Sequence, residues 1–137
     1  MRNKRILLVD DERDFVDCLA KRLLMRGVNC ESAYNGADAI KKISTGHFDA
    51  VVLDMLLPDT NGVHVLRTIR CVSPETIVVM LTGHASASDG KESMLQGAVE
   101  YLIKPVELET LLEKLCLLLK CEPYGKILLQ QNCNDTV

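Results

Sequence analysis

Residues 50–54 read Ala-Val-Val-Leu-Asp, an uninterrupted aliphatic run that ends directly in a carboxylate. Short continuous runs of this kind are typical of strands that are buried on both faces of a parallel sheet. The same pattern recurs at residues 6–9, 77–81 and 101–103. Residues 28–33 mix polar and apolar side chains, which is typical of a strand at the edge of a sheet. The sequence therefore predicts five strands.

Segments with helical periodicity lie between these runs. In the first of them, Phe15, Leu19 and Leu23 recur every four residues, and Gly27 follows as a C-terminal cap. Strands that alternate with helices imply a doubly wound α/β sheet with right-handed crossovers, whereas an α+β arrangement would need hairpin signals, which we do not find. The other four helices are predicted at residues 37–46, at residues 63–73, between residues 86 and 97, and at about residues 107–120.

The composition is that of one globular domain. With 137 residues, of which 47% are hydrophobic and 26% charged, the chain is long enough for one core. Its net charge of −3 argues against intrinsic binding to nucleic acid or to an anionic membrane. The apolar runs are too short for a membrane span or a signal peptide, so we expect a cytoplasmic protein without a membrane partner. The six cysteines lack the C-x-x-C spacing of a zinc site, and we expect buried or free thiols.

Four of the predicted strands end in polar residues. Asp10 and Asp11 follow the first strand, Asp54 follows residues 50–53, and Thr82 and Lys104 follow the last two runs. Each residue alone has an ordinary explanation as a helix cap, a loop residue or a solvated side chain. In open α/β sheets, however, the carboxyl ends of the strands border the ligand crevice. Because four strands end this way, we expect these side chains to converge on one site.

The chemistry of these side chains predicts a phosphoryl-transfer site. Two carboxylates about 4 Å apart repel by about 4 kcal/mol at an effective dielectric of about 20, so a cation must neutralise the group. Carboxylate oxygens in a small site suit Mg²⁺. An aspartate can act as a nucleophile and form an aspartyl-phosphate. A metal ion, a lysine and a hydroxyl would then stabilise the oxygens of the transferred group.

Four motifs surround the residues that end the strands: Leu7-Leu8-Val9-Asp10-Asp11-Glu12, Val52-Leu53-Asp54-Met55-Leu56-Leu57-Pro58-Asp59 with Asn61-Gly62, Leu81-Thr82-Gly83-His84, and Gly97-Ala98-Val99-Glu100-Tyr101-Leu102-Ile103-Lys104-Pro105. In this order and spacing they resemble the receiver domain of bacterial two-component response regulators. The resemblance extends from residue 4 to about residue 120. It implies a flavodoxin-like sheet of five parallel strands in the order 2-1-3-4-5 with five helices. We expect a receiver domain at residues 1–120 and a C-terminal extension or truncated linker at residues 121–137.

The resemblance implies that Asp54 accepts a phosphoryl group from a histidine kinase or a histidine phosphotransfer protein. Asp11 and Asp54 would bind Mg²⁺ together with the backbone carbonyl of Leu56, and Asp10 would act through a water molecule. Leu56 and His84 would flank the water that attacks during dephosphorylation. Because Leu56 is apolar and should shield the phosphate, we predict that the phosphorylated state lasts for minutes or longer.

By the same resemblance, Thr82, Lys104 and Tyr101 would respond to phosphorylation. Thr82 would turn toward the phosphoryl group and Lys104 would pair with it. Tyr101 would then swing inward and remodel the face made by the fourth helix, the fifth strand and the fifth helix, which would bind a downstream partner or a second copy of the chain. The peptide bond before Pro105 is expected to be cis.

The last predicted helix is rich in leucine, which gives it more apolar surface than one packing stripe requires. Two interpretations are open. The extra leucines pack under the C-terminal tail, or they form a dimer or partner surface on the face of the fourth and fifth helices. The leucines concerned are Leu108, Leu111, Leu112, Leu115, Leu118 and Leu119.

Two other functions stay open on the sequence alone. A Mg²⁺-dependent phosphohydrolase would also use a nucleophilic aspartate. Enzymes of that class have a D-x-D motif at the nucleophile, whereas Met55 and Leu56 follow Asp54 here. A receiver-like interaction module that is never phosphorylated would have no need for the whole set of site residues. We expect a signalling domain that catalyses only its own phosphorylation and dephosphorylation and that does not bind nucleic acid directly.

Overall fold

The structure, a computed structural model, describes residues 3–83 and 87–120. In this part of the chain, strands and helices alternate, and their ends lie within one or two residues of the predicted ones. The strands are β1 (Arg5–Val9), β2 (Asn29–Ala33), β3 (Ala50–Leu53), β4 (Ile77–Thr82) and β5 (Glu100–Ile103). The helices are α1 (Arg13–Met25), α2 (Gly36–Thr45), α3 (Gly62–Val72), α4 (Ala87–Leu95) and α5 (Leu108–Leu119).

The strands form one parallel sheet in the order β2-β1-β3-β4-β5. In its register, Leu8 of β1 lies between Ser32 of β2 and Val52 of β3. The predicted doubly wound α/β sheet and its strand order are therefore confirmed. The winding reverses between β1 and β3, and a ligand crevice is expected beside the carboxyl ends of these two strands.

The sheet separates two apolar layers. Along β1, Ile6 and Leu8 pack into the layer that contains α1 and α5, whereas Leu7 and Val9 pack into the layer that contains α2 and α3. This alternation follows from the two-residue period of a strand. Because both layers are apolar, the buried residues 6–9 of β1 must be apolar as well, which explains the uninterrupted run of aliphatic residues there.

β5 departs from the prediction that all four apolar runs are buried on both faces. Its first three residues are half-buried, and Ile103 is 50% exposed. The reason is its position, because β5 lies at one edge of the sheet and has a neighbouring strand on one side only. The prediction of burial was wrong for this strand. The prediction of β2 as an edge strand is confirmed, since it lies at the opposite edge.

The N-terminus of α2 is held by a side chain from the loop between β3 and α3. The carboxylate of Asp59 accepts hydrogen bonds from the backbone N–H groups of Gly36, at 2.8 Å, and Ala37, at 2.9 Å. These two hydrogen bonds lower the pKa of Asp59. The loop that follows β3 is thereby attached to the neighbouring helix.

We expect Asp59→Asn to lower the free energy of unfolding at neutral pH, because an amide is a weaker acceptor for two helix N–H groups than a carboxylate. The folded pKa is depressed, so the contribution of Asp59 is present above its unfolded pKa of about 3.9 and is lost as the pH falls through the folded pKa. Urea unfolding should therefore separate the variant from the wild type at about pH 7, and the difference should shrink as the pH falls below about 3.9. Glu113→Gln, an exposed substitution on α5, is the control for loss of charge. An equal deficit at both pH values would contradict the assignment.

Candidate functional site

The carboxyl edge of the sheet brings the predicted polar residues together, because the backbone pairing continues for one residue past three of the strands. The N–H of Asp10 donates to the carbonyl of Ala33 at 3.1 Å, the N–H of Asp54 to Val9 at 2.9 Å, and the N–H of Lys104 to Thr82 at 2.9 Å. The backbone of each of these three residues is thus held in place by the sheet, which fixes the Cα atom from which the side chain extends. Rigid placement of this kind is what a chemical site requires.

Three carboxylates form a compact group at this edge. One oxygen from each of Asp10, Glu12 and Asp54 lies within 4.8 Å of the others. Asp10 and Asp54 are each 4% exposed, whereas Glu12 is exposed. Within the described part of the chain, the group that could hold a metal ion contains Glu12 and does not contain Asp11, which is exposed. The sequence did not single out Glu12 as a site residue.

Asp54 carries the feature that most favours a bound cation. Its Oδ1 atom is buried and has no hydrogen-bond partner among the described residues. A buried carboxylate oxygen without a partner is costly, and the neighbouring carboxylate of Asp10 adds repulsion. Oxygen donors crowded at one cleft are the ligands that Mg²⁺ prefers. The residues present therefore fit this ion.

Lys104 supplies the positive charge of the site. Its Nζ atom lies 2.6 Å from Asp10 Oδ2 and 3.3 Å from Glu12 Oε1, and 4.0 Å from the centre of the Phe15 ring. Burial by itself would lower the pKa of Lys104, but the hydrogen bond to Asp10 and the charges of Asp10, Asp54 and Glu12 outweigh it, and the pKa is raised. Lys104 is therefore a permanent cation at neutral pH.

The pKa of Asp10 is also raised. Burial is the largest cause, and it outweighs the opposing hydrogen bonds from the Lys104 ammonium and the backbone N–H of Glu12. The charge of Asp54 raises the pKa of Asp10 further. The cleft thus holds more negative charge than one lysine can balance, which again favours a divalent cation.

The loop after β3 returns closely over Asp54. The N–H of Gly62 donates to the carbonyl of Met55 at 2.6 Å, and Leu56 forms an isolated bridge with Asn61. A Cβ atom added at Gly62 would collide with the carbonyl oxygen of Asp54 and would lie 3.0 Å from the Cα atom of Met55. Glycine at this position therefore lets α3 begin directly against the backbone of Asp54.

We predict that Gly62→Ala lowers the free energy of unfolding by about 1–3 kcal/mol, the usual cost of forcing extra volume into a packed site. Chemical denaturation would measure it. The control is Gly46→Ala, because a Cβ atom at Gly46 would meet its neighbours at 3.5 Å or more and the cost should stay within about 0.5 kcal/mol. Equal effects of the two substitutions would contradict the close approach.

The two predicted switch residues lie at the same side of the sheet. Thr82, the last residue of β4, is fully buried. Tyr101 pairs with Met80 in the register of β4 and β5, and its side chain is half-buried. The ring lies against Gly90 of α4, where an added Cβ atom would come within 3.3 Å of the ring atom Cδ1. Tyr101 thus touches the helix whose position it is expected to influence.

The remaining predicted site residues are Leu56, Pro105 and His84. Leu56 is exposed beside a cavity of about 550 Å³ between the β3–α3 loop, α3 and α4. The bond between Lys104 and Pro105 is cis. His84 lies outside the described residues, as do residues 121–137. The other two histidines, His47 and His64, are exposed.

Two contacts of the site were missed at the sequence level. The sequence predicted Phe15 as a member of the apolar stripe of α1 and assigned no place in the site to Glu12. Both residues also touch Lys104, which is about ninety positions away in sequence. Their position within five residues of Asp10 was the available signal.

An acidic cleft thus lies at the carboxyl edge of a five-stranded parallel sheet. Over residues 6–116 the sequence matches the response regulator receiver domain family. The chain therefore belongs to the response regulator receiver domain family.

Individual relatives agree with this assignment. Response regulator MprA of Mycobacterium ulcerans is 35% identical over 116 residues, which cover 85% of this chain and 50% of that protein. The structure of a CheY-like receiver domain protein from Methanospirillum hungatei is 33% identical with a TM-score of 0.83, over 85% of this chain and 94% of that one. A response regulator structure from Burkholderia pseudomallei with a phosphorylated aspartic acid and a calcium ion is 29% identical with a TM-score of 0.77, over 80% of this chain and 65% of that one.

The chain spans about half the length of the curated relatives that it matches. None of the helices at residues 3–83 and 87–120 combines the length and the apolar character that a membrane span needs.

Proposed function

We propose that this receiver domain accepts one phosphoryl group on Asp54 from a histidine kinase or a histidine phosphotransfer protein, in a reaction that requires Mg²⁺. The observation that carries the proposal is the buried, unpartnered Oδ1 atom of Asp54 in a cleft shared with Asp10 and Lys104. Among the described residues no group donates to this oxygen, so the fold does not engage the lone pairs that an attack on phosphorus would use. The solved relative with a phosphorylated aspartic acid and a calcium ion supports the same chemistry in this family.

The proposed metal ligands are Asp11, Asp54 and the backbone carbonyl of Leu56, with Asp10 acting through a water molecule. The compact carboxylate group adds Glu12 to the acidic side chains at the cleft. When bound, Mg²⁺ would neutralise the carboxylates and the phosphoryl oxygens so that the two anions can approach each other. Asp10 and Asp54 contribute the charge that attracts the ion.

The transfer itself is a displacement at phosphorus. An oxygen of Asp54 forms the new P–O bond while the P–N bond to the donor histidine breaks, and the electron pair of that bond stays on the imidazole nitrogen. Lys104 stabilises the negative charge on the phosphoryl oxygens from the β5 side, and the Thr82 hydroxyl donates to the same group. Since the product is an acyl phosphate on the chain, the domain is a phosphoprotein switch.

The proposed output surface is the face formed by α4, β5 and α5. Apolar side chains are exposed on each of these elements: Leu95 on α4, Ile103 on β5, and Leu117, which is 78% exposed, on α5. Most leucines of α5 pack into the core layer of α1, including the partly buried Leu118 and Leu119. Inward movement of Tyr101 would alter the contact with Gly90, and a downstream partner or a second copy would sense the change.

The proposal is tested by incubating the protein with acetyl phosphate and following its intact mass with and without Mg²⁺. We expect one added phosphoryl group per chain with Mg²⁺ and little or none with a chelator. Multiple turnover of acetyl phosphate without an adduct would favour a phosphohydrolase. No reaction with acetyl phosphate or with a phosphorylated histidine donor would favour an interaction module that is never phosphorylated.

The same measurement gives the lifetime of the adduct once the donor is removed. We predict decay over minutes or longer, because the apolar Leu56 provides no group to orient an attacking water. Leu56→Asn should shorten the lifetime by adding a polar group there, whereas Val72→Asn, at an exposed apolar position at the far end of α3, should not. A wild-type half-life of a few seconds would contradict the prediction.

A further inference from the structure

The ammonium of Lys104 is surrounded by two groups from the segment that joins β1 to α1 and by one from the first turn of α1. They are the carboxylate of Asp10 at 2.6 Å, the carboxylate of Glu12 at 3.3 Å and the ring of Phe15 at 4.0 Å. We propose that Phe15 and Glu12 form a retaining site that holds Lys104 on the α1 side of the cleft while Asp54 is unmodified, so that Phe15 is a positioning residue for Lys104. The inference rests on the proposed function of Asp54.

The contacts of Lys104 support this arrangement. Among residues 3–83 and 87–120, Asp10 and Glu12 are the carboxylates within 4.0 Å of the Nζ atom. Asp54 acts on Lys104 through its charge. To meet a phosphoryl group on Asp54, the ammonium must therefore move from the α1 side of the cleft toward β3.

Phe15 is well placed to resist that movement. It is half-buried in α1 and packs against the core layer beneath the helix, so the ring is fixed by the fold. The Lys104 side chain is 13% exposed, and a cation over an aromatic face is attracted more strongly when water is largely excluded. The ring thus favours the position of Lys104 beside Asp10 and carries no charge of its own.

Glu12 fixes the other side of the retaining site. Its backbone N–H donates to Asp10 Oδ1 at 3.0 Å, which orients the Asp10 carboxylate, while its side chain accepts from Lys104. The side chain of Glu12 is 65% exposed, so water screens its attraction for the ammonium. Phe15 is therefore the residue whose removal tests the retaining site without changing the charge of the cleft.

The retaining site and a divalent cation would both draw on the acidic group at the cleft. Lys104 pairs with Asp10 and Glu12, and these two residues share the compact acidic group with Asp54. A cation that binds there weakens the hold on Lys104, and by reciprocity the hold on Lys104 weakens the binding of the cation. Removing the ring should therefore tighten the binding of Mg²⁺.

The experiment compares the full chain with its Phe15→Leu and Phe15→Tyr variants. The Phe15→Leu variant should bind Mg²⁺ roughly three- to tenfold more tightly in an NMR titration, the equivalent of about 0.7–1.4 kcal/mol. The Phe15→Tyr variant keeps an aromatic face and should match the wild type. Tyr34→Leu is the matched control, because the Tyr34 ring stacks on Arg13 at 4.1 Å and does not touch Lys104. Unchanged or weaker binding in Phe15→Leu would overturn the coupling.

A spectroscopic readout tests the retaining site without any variant. In the metal-free wild type, the proton signals of the Lys104 ε-methylene should be shifted upfield by the ring, and saturating Mg²⁺ with beryllofluoride, a mimic of the phosphoryl group, should remove the shift. An unshifted signal would overturn the retaining site alone. Failure of the wild type to bind Mg²⁺ would overturn the proposed function and the coupling together. A cooperative thermal unfolding transition in each variant establishes that the variant is folded.

Discussion

Asp54→Asn is expected to reduce phosphoryl incorporation from one group per chain to none. The amide nitrogen has no lone pair available for attack, and the amide oxygen is a far weaker nucleophile than a carboxylate. Intact mass after incubation with acetyl phosphate and Mg²⁺ measures the difference directly.

The loss in Asp54→Asn should not arise from unfolding. The charge of Asp54 raises the pKa of Asp10, which shows that the two carboxylates repel each other. Neutralising Asp54 removes this repulsion, so thermal unfolding should occur at the same temperature as in the wild type or at a higher one. Asp14→Asn, an exposed substitution in the first turn of α1, should leave incorporation intact. Full incorporation in Asp54→Asn would contradict the assignment of the acceptor.

Lys104→Met is expected to lower the free energy of unfolding at neutral pH by about 3 kcal/mol, since breaking a buried ion pair leaves an uncompensated charge. Asp10 is 4% exposed and would lose its closest cation, 2.6 Å away. In the variant the pKa of Asp10 should rise still further. A raised carboxyl pKa means that the folded state binds the proton more tightly, so the deficit is full above that folded pKa and shrinks as the pH falls through it.

Urea unfolding at about pH 7 and about pH 5 measures both parts of the Lys104 prediction. Asp10→Asn combined with Lys104→Met should recover much of the loss, because no buried charge is then left unpaired. Lys114→Met is the matched control, since Lys114 pairs with Glu100 at 3.6 Å with both side chains more than a third exposed, and such a pair contributes less than about 1 kcal/mol. Equal losses in the two lysine variants would contradict the buried role of Lys104.

The sheet could be predicted from sequence because its strands have few alternatives. Residues 50–53 are uninterrupted aliphatic residues bounded by polar ones, and the structure gives β3 the same bounds. The burial of β5 could not be predicted in this way, because the run at residues 101–103 looks like the others and its edge position depends on the order of the whole sheet. Local pattern determines that a strand forms, and long-range pairing determines how much of it is buried.

The convergence of Asp10, Asp54, Thr82 and Lys104 at one edge was also accessible from sequence, since parallel strands bring their carboxyl ends together. The contacts of Glu12 and Phe15 with Lys104 were not, because they depend on how the first turn of α1 approaches a side chain from the other end of the chain. The close approach of Gly62 to the backbone of Asp54 depends in the same way on the path of a loop.

The central claim is that the acceptor is Asp54, and borohydride reduction tests it most directly. Borohydride reduces an aspartyl phosphate to homoserine, which peptide mass spectrometry locates at a single residue. After incubation of the wild-type chain with acetyl phosphate and Mg²⁺, we predict homoserine at position 54 and unmodified aspartate at positions 10 and 11. Homoserine at position 10 or 11, or a stable adduct elsewhere with Asp54 intact, would contradict the account.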